Sequence, residues 1–471
     1  MSALSRRHLA VVLALLCCLS LTTPAAAALG GPAADRSPGP CTGTVTEPAN
    51  GLTVISVQGF EFGGGGKRPA KLVGVGPEGE VKWVHQMSEE FDVVWGYDVD
   101  PLPNGNLFVT ATVPDHRTLV YEFNPRTRET VWTERFDVAD THDADLINNG
   151  SEILVANMRN YNESAQRNDD RIFVYNRTTE EIEWEWRFDD HYDPEALEEN
   201  YTDDWTHLND VDKIGDGLYL ASPRNFDQAI VVNRSTDEIV MKLGEDGEKD
   251  VLNEQHNPDF LESENGTPTL IVGDSDNDRI VEYANPDGDL TNGDGWTRTW
   301  TLTGDLNWPR DADRLPSGNT LVTDSANDRV AEVTPEGEVV WEFYAPWLVY
   351  DAVRVPAGEH GGPTATDLNA TGSHEIHGSA QLHENDTALQ NCHERLENVS
   401  GWAAGESPTT GGTTTESAID GETDSGEDGQ TDAGDDERTE QSDSTGVPGF
   451  GSLAALAGLL VALGVALRRG R

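Results

Sequence analysis

Tyr97-Asp98-Val99-Asp100, His142-Asp143-Ala144-Asp145, Asn209-Asp210-Val211-Asp212, His256-Asn257-Pro258-Asp259 and Arg310-Asp311-Ala312-Asp313 are five copies of one phrase, and Tyr350-Asp351-Ala352-Val353 is a sixth, worn at its end. Positions two to four keep one character while the first changes among Tyr, His, Asn and Arg. A constant frame with one changing position marks a repeat whose units present different side chains at the same place.

Each phrase leads into a glycine turn and a β-rich segment, as in Leu102-Pro103-Asn104-Gly105-Asn106-Leu107-Phe108-Val109 and Leu315-Pro316-Ser317-Gly318-Asn319-Thr320-Leu321-Val322. These read as hairpins. A third strand follows at Val120-Tyr121-Glu122-Phe123 and its counterparts. A fourth carries a large residue at Trp132, Trp184 or Trp186, Met241, Trp300 and Trp341. Four antiparallel strands per unit of this spacing make a propeller blade.

Five units are complete. Thr53 to Val57, Lys71 to Val75 and Glu80 to Trp83 supply only later strands of another, and Asp351 to Val355 supplies only a first strand. Joined, they complete a sixth blade, so the chain reads as an all-β, six-bladed propeller closed by strands from both chain ends, with no open sheet edge at the seam. An open solenoid or a double sandwich explains neither half-unit. Cys41 and Cys392 flank the closing blade and can pair in an oxidising compartment. A capping helix is expected within 386–399, with Leu389, Cys392, Leu396 and Val399 on one face.

In a propeller the inner strand opens into the central channel, so Tyr97, His142, Asn209, His256, Arg310 and Tyr350 are expected to converge. His207 is two residues before Asn209, and residues two apart on a strand share a face, so the two should reach one ligand. A blander reading has each such histidine bonding the next blade's backbone. Arg310 reads as a channel-lining or Asp-paired residue.

Three patterns, His142-Asp143, then Trp205-Thr206-His207-Leu208-Asn209 with Ser222-Pro223-Arg224-Asn225, then Gln255-His256, resemble the nucleotide-independent aryl sulfotransferases, which work on six-bladed propellers outside the cytosol. The resemblance implies that His256 is the nucleophile that takes a sulfuryl group from an aryl sulfate and passes it to a phenolic acceptor. His142, His207, Asn209 and Arg224 would bind its oxygens or handle the proton. Tyr97, Arg310 and Tyr350 would line the substrate site. The chemistry is consistent. An aryl sulfate is an anion and needs local cations in so acidic a protein, neutral imidazole is a competent nucleophile near pH 7, and a departing phenolate of pKa about 10 benefits from a proton donor. No cofactor or metal is implied.

Other readings compete. Gly273-Asp274-Ser275-Asp276-Asn277-Asp278-Arg279 and Thr323-Asp324-Ser325-Ala326-Asn327-Asp328-Arg329 resemble NHL-type propellers, which suggests a non-catalytic surface module binding a glycan, peptide or small anion. A metal-dependent lactonase-like hydrolase would require an acidic channel, which the ring of His, Asn and Arg contradicts. Asn285 to Asp294 departs from the twelve-residue calcium loop and reads as a solvated turn. His374, His377, His383 and His393 are expected on the surface near the cap.

The ends speak to location. Residues 1–28, with Ser5-Arg6-Arg7-His8-Leu9 and an apolar run from Val11 to Leu21, have the layout of an export signal, and the arginine pair resembles a twin-arginine signal. The propeller domain with its cap is expected over 41–399, and 404–446 is an acidic low-complexity stalk, disordered for want of apolar residues. Residues 447–471, with Pro448-Gly449-Phe450, a hydrophobic helix from Leu453 to Leu467 and Arg468-Arg469, resemble the PGF-CTERM sorting signal of haloarchaeal surface proteins, which an archaeosortase removes while a lipid anchor is attached. The alternative is a simple transmembrane anchor. Either way the expected location is the outer face of the cell membrane. A net charge of -53 excludes nucleic acid as a partner and suits molar salt, where the Debye length is about 3 Å. Nine Asn-x-Ser/Thr sequons, from Asn149 to Asn398, suggest a glycoprotein.

Overall fold

The computed structural model describes residues 39–62, 65–286, 295–356, 361–399 and 401–402. The export segment, the stalk, the sorting signal and residues 287–294 of the candidate calcium loop lie outside them. No helix among the described residues is long and apolar enough to cross a membrane.

Six antiparallel sheets form the blades of a propeller. Blade 1 comprises Trp95–Pro101, Leu107–Val113, Arg117–Asn124 and Glu129–Ala139. Blade 2 begins at Ala144–Ile147, blade 3 at Leu208–Gly215, blade 4 at His256–Glu262 and blade 5 at Pro309–Arg314. Blade 6 pairs Val349–Val355 from one chain end with Leu52–Val57, Lys71–Val75 and Val81–His85 from the other, in a register from Leu52 opposite Val355 to Val57 opposite Val349. The half-units are joined as the sequence implied.

The phrase itself explains why neighbouring blades lock. Its constant aspartate reaches into the next inner strand: Asp351 Oδ2 accepts from Val99 N at 2.9 Å, and Asp143 Oδ2 accepts from Val211 N at 2.7 Å. Backbone groups of an inner strand on the channel side have no strand to pair with, and a buried unpaired N–H costs about 1–3 kcal/mol, so these carboxylates are structural. The expected bond from histidine to the next backbone is made by aspartate instead.

Between blades the outer-strand aromatics fill the core. Trp186, Trp300 and Trp341 are buried, each contributing about 2–3 kcal/mol by area. At the hairpin between the first two strands of blade 1, Gly105 has φ 82°, and its N–H bonds back to Leu102 O at 2.8 Å, which closes the turn that glycine alone enters without strain.

Three blades carry a fifth strand that the sequence did not announce. Thr42–Val45 adds to blade 5, Gly372–Glu375 adds in parallel to blade 4, and Gly401–Trp402 adds to blade 6. Cys41 and Cys392 form a disulfide at the seam, both buried in one cluster with Val73, Leu389 and Leu396. The cap helix runs from Asp386 to Glu397, and the Asn385 side chain accepts from Thr387 N and Ala388 N at its start. His393 departs from the surface expectation. It is buried on this helix, with Nε2 3.1 Å from Glu397, because its ring packs toward Trp347 of the ring. His383 is also mostly covered, between Tyr344 and Asp305.

Candidate active site

The channel mouth is built in two tiers. The lower tier is the variable first position of each phrase, at the top of the six inner strands. Tyr97 and His142 have ring centroids 4.2 Å apart, Tyr97 and Tyr350 5.0 Å, His142 and Tyr350 5.6 Å, and His256 and Tyr350 6.5 Å. Arg310 stands with its guanidinium carbon 4.8 Å from the Tyr350 ring centre and 4.1 Å from that of Trp308. These side chains converge because each blade delivers its first residue to one axis.

The upper tier lies two residues earlier: Trp95, Asp140, His207, Glu254, Trp308 and Leu348. Five of these six adopt left-handed backbone, with φ 51° at Asp140, 41° at His207, 47° at Glu254, 54° at Trp308 and 64° at Leu348. Such φ values are uncommon for residues with a Cβ, and something must hold them. In three of the five an aspartate of the preceding blade does so, accepting the N–H of the left-handed residue: Asp227 from Glu254 at 3.1 Å, Asp278 from Trp308 at 3.1 Å, and Asp328 from Leu348 at 2.5 Å. His207 therefore precedes the strand, which starts at Leu208, and the shared-face argument linking it to Asn209 does not apply. The two meet through His142 instead. The His207 ring is 5.2 Å from that of His142, and Asn209 Oδ1 is 3.1 Å from His142 Nδ1.

Hydrogen bonding fixes the three imidazoles in one tautomer. The Ser275 hydroxyl donates to Pro309 O at 2.7 Å, so its oxygen can only accept from His256 Nδ1 at 2.8 Å. Asn209 Nδ2 donates to Gln255 O at 3.0 Å, so its Oδ1 accepts from His142 Nδ1. His207 Nδ1 donates to the Asp204 carboxylate at 3.0 and 3.1 Å. Each ring thus carries its proton on Nδ1 and its lone pair on Nε2.

Electrostatics keeps His256 neutral. Burial, then the nearby charges of Arg310 and Arg224, push its pKa well below the ordinary imidazole value, and burial with His207, Arg159 and Arg310 does the same to His142. Arg224 sits on the rim. Its Nε and Nη2 donate to Asn225 Oδ1 at 3.1 and 3.0 Å, and Nη2 is 3.7 Å from Glu254. Arg310 Nη1 donates to Gln58 Oε1 at 2.8 Å across the seam, so its partner is an amide rather than an aspartate. Among the described residues no three His, Cys, Asp or Glu side chains are placed to hold a metal ion.

Several neighbours escaped the sequence reading: Ser275, Asp204, Asp140, Arg159 and Trp308. Asp140, Glu254 and Trp308 could have been found by taking the position of His207 in every repeat, two before each phrase. Arg159 and Ser275 both follow second strands, and Ser275 shares its Asp-Ser-x-Asn-Asp-Arg setting with Ser325, whereas Arg159 has no such counterpart.

Of the NHL-like residues Ser275 meets His256, while the aspartates at 274 and 324 serve the scaffold. Asp274 accepts from Asn253 N, Arg279 Nε and Asn277 Nδ2, and Asp324 accepts from Asn307 N, Arg329 Nε and Asn327 Nδ2. They brace loops rather than face a partner.

No curated protein sequence matches the chain. Among solved structures, a protein of unknown function from Bacteroides caccae is 12% identical over 66% of this chain and 98% of its own, with a TM-score of 0.41. A streptogramin B lyase is 11% identical over 54% and 69%, with a TM-score of 0.34. Virginiamycin B lyase from Staphylococcus aureus is 10% identical over 58% and 75%, also with a TM-score of 0.34. Residues 58–290, the stretch from Gln58 through His142, His207, Asn209, Arg224 and His256, match the model of the arylsulfotransferase (ASST) family.

Proposed function

We propose that the protein is an extracytoplasmic aryl sulfotransferase that moves a sulfuryl group from an aryl sulfate to a phenolic acceptor through a sulfated His256. The observation that carries this reading is the fixed tautomer of His256: Ser275 holds its Nδ1 proton, which leaves a neutral, lone-pair-bearing Nε2 in the channel tier that holds Arg310, below Arg224 on the rim. A nucleophile already neutral at pH 7 needs no base to activate it. The two guanidiniums supply the positive field that draws an aryl sulfate into so acidic a protein. Arg224 and Arg310 are the donors that face the three sulfuryl oxygens, and preorganised donors of this kind are typically worth about a hundredfold or more in rate, whereas His142, its Nδ1 proton spent on Asn209, donates from Nε2 only as the imidazolium. The match to the arylsulfotransferase model supports the same chemistry.

The same proposal includes location. An export signal over 1–28, the PGF-CTERM-like segment at 447–471 and a buried disulfide, which suits an oxidising compartment, support a protein processed by an archaeosortase and anchored on the outer face of the membrane. Fractionation of cells with and without residues 447–471 tests it.

Incubation with a chromogenic aryl sulfate at high salt, followed by peptide mass spectrometry, tests the chemistry. A sulfuryl adduct on His256, discharged by added phenol and absent from His256→Gln, is expected. Transfer that survives that substitution refutes the reading.

A further inference from the structure

The three imidazoles share a tautomer but not a partner. His256 Nδ1 faces a hydroxyl and His142 Nδ1 faces an amide oxygen, both neutral, whereas His207 Nδ1 faces the Asp204 carboxylate. A carboxylate behind one ring nitrogen stabilises the imidazolium that forms when the other nitrogen takes a proton, and it holds the ring's orientation throughout. Asp140 lies 4.0 Å from His142 Nε2, but of the three rings only His207 has a carboxylate hydrogen-bonded behind Nδ1, which leaves Nε2 to gain and lose a proton.

Asp204 is itself held. Arg159 lies 3.3 Å from Asp204 through Nη2 and 3.3 Å from Asp140 through Nε, and Asp140 Oδ1 accepts the Tyr97 hydroxyl at 2.7 Å. Arg159 has left-handed backbone, φ 55°, in the loop after the second strand of blade 2. Asn225 Nδ2, from blade 3, donates to Asp204 O at 2.6 Å. Burial alone would raise the Asp204 carboxyl, but His207, Arg159 and Arg224 together hold it well below the usual carboxylate range, so it stays ionised. The charged and titratable groups facing His207 are Asp204, Arg224, Arg159 and His142. Burial first, then Arg224 and Arg159, lower the His207 pKa from the ordinary imidazole value, and the Asp204 carboxylate works against them in favour of the imidazolium.

We propose that Asp204, clamped by Arg159, is the positioning residue that makes His207 the proton shuttle of the sulfuryl transfer. This rests on the transferase reading above. In the first half-reaction His256 Nε2 forms the N–S bond as the S–O bond to the aryl group breaks. The bonding pair goes to the phenolic oxygen, which takes the Nε2 proton of His207 in its imidazolium form, with Asp204 behind Nδ1, and leaves as neutral phenol while His207 returns to the neutral Nδ1–H tautomer. In the second half the acceptor phenol gives its proton to His207 Nε2 as its oxygen bonds sulfur, and the N–S pair returns to His256. The proton and both electron pairs are restored over one cycle.

The test is leaving-group dependence in Asp204→Asn. A donor whose phenol has pKa about 10 needs protonation, and its kcat/KM should fall about a hundredfold. A donor activated by nitro groups leaves as phenolate, and its kcat/KM should change less than about threefold, which also shows the variant folded. Asp204→Glu should restore much of the first rate, and Arg159→Lys should show the same selective loss in weaker form. Equal losses on both donors, or none on either, overturn the proposal while leaving sulfated His256 intact. Native protein that never yields sulfated His256 overturns the transferase reading and this proposal with it.

Discussion

His142 Nδ1 and Asn209 Oδ1 lie 3.1 Å apart across the boundary between blades 2 and 3, and the Asn209 amide is oriented from the far side by the carbonyl of Gln255 at 3.0 Å. A neutral acceptor thus sets the protonation of an imidazole that burial already disfavours charging. Asn209→Asp replaces that amide with a carboxylate of nearly the same shape. The His142 titration, followed by NMR, should move upward by about one pH unit or more. The added negative charge should also raise KM for an anionic donor.

Ser275 is the only hydroxyl between His256 Nδ1 and the Pro309 carbonyl. Ser275→Ala leaves Nδ1 with the Glu254 carbonyl at 3.2 Å as its remaining acceptor, so the ring keeps its tautomer but loses one anchor. kcat should fall about tenfold, the equivalent of one hydrogen bond of about 1.4 kcal/mol, with KM nearly unchanged. Steady-state kinetics on a single donor measures both.

Much of this was legible beforehand, and the reason is periodicity. The phrase repeats because each inner strand meets the same geometry, so its first residues had to converge, and Thr53 to Val57 had to meet Asp351 to Val355. What escaped has a physical cause too. The upper tier turns on left-handed residues as different as Glu254, Trp308 and Leu348, each held by an aspartate one blade away, and no local pattern encodes a backbone angle imposed from outside. Arg159 sits in an irregular insertion with a two-stranded ribbon, Tyr161–Asn162 with Arg167–Asn168, whose counterpart among the described residues is the Phe60–Glu61 and Gly66–Lys67 ribbon of blade 6. The added outer strands are two to four residues long, too short to announce themselves.

Acid should erode stability through the same buried rings. His142 and His256 have folded pKa values well below 6.5, so between those values and 6.5 the unfolded chain holds a proton on each ring that the folded protein does not. Their contribution is whole above pH 6.5 and is lost as pH falls below it, at about 1.4 kcal/mol per pH unit for each ring. Below pH 6 the unfolding free energy of His256→Gln, measured in urea, should fall less steeply than that of the native protein by about that slope. The carboxylates titrate alike in both and cancel.

Cys41 and Cys392 join positions 351 residues apart in sequence. Replacing both with serine should lower the unfolding free energy by about 2–5 kcal/mol. The kinetics of the variant on an aryl sulfate should remain native at temperatures where it is folded, since neither sulfur approaches the channel. Denaturant titration and activity assays on the same sample separate the two effects.

The Arg310–Gln58 hydrogen bond spans the seam, and so does the Asp351–Val99 latch. The site therefore has no partial form. A chain that has made five blades owns most of the candidate side chains but not their full arrangement, because the arginine has no amide to lean on and Tyr350, the ring that both His142 and His256 face, arrives with the last inner strand. On the transferase reading, turnover would serve as a proofreading signal for folding: a molecule that turned over substrate would, by that fact, have brought together the two half-units of its closing blade.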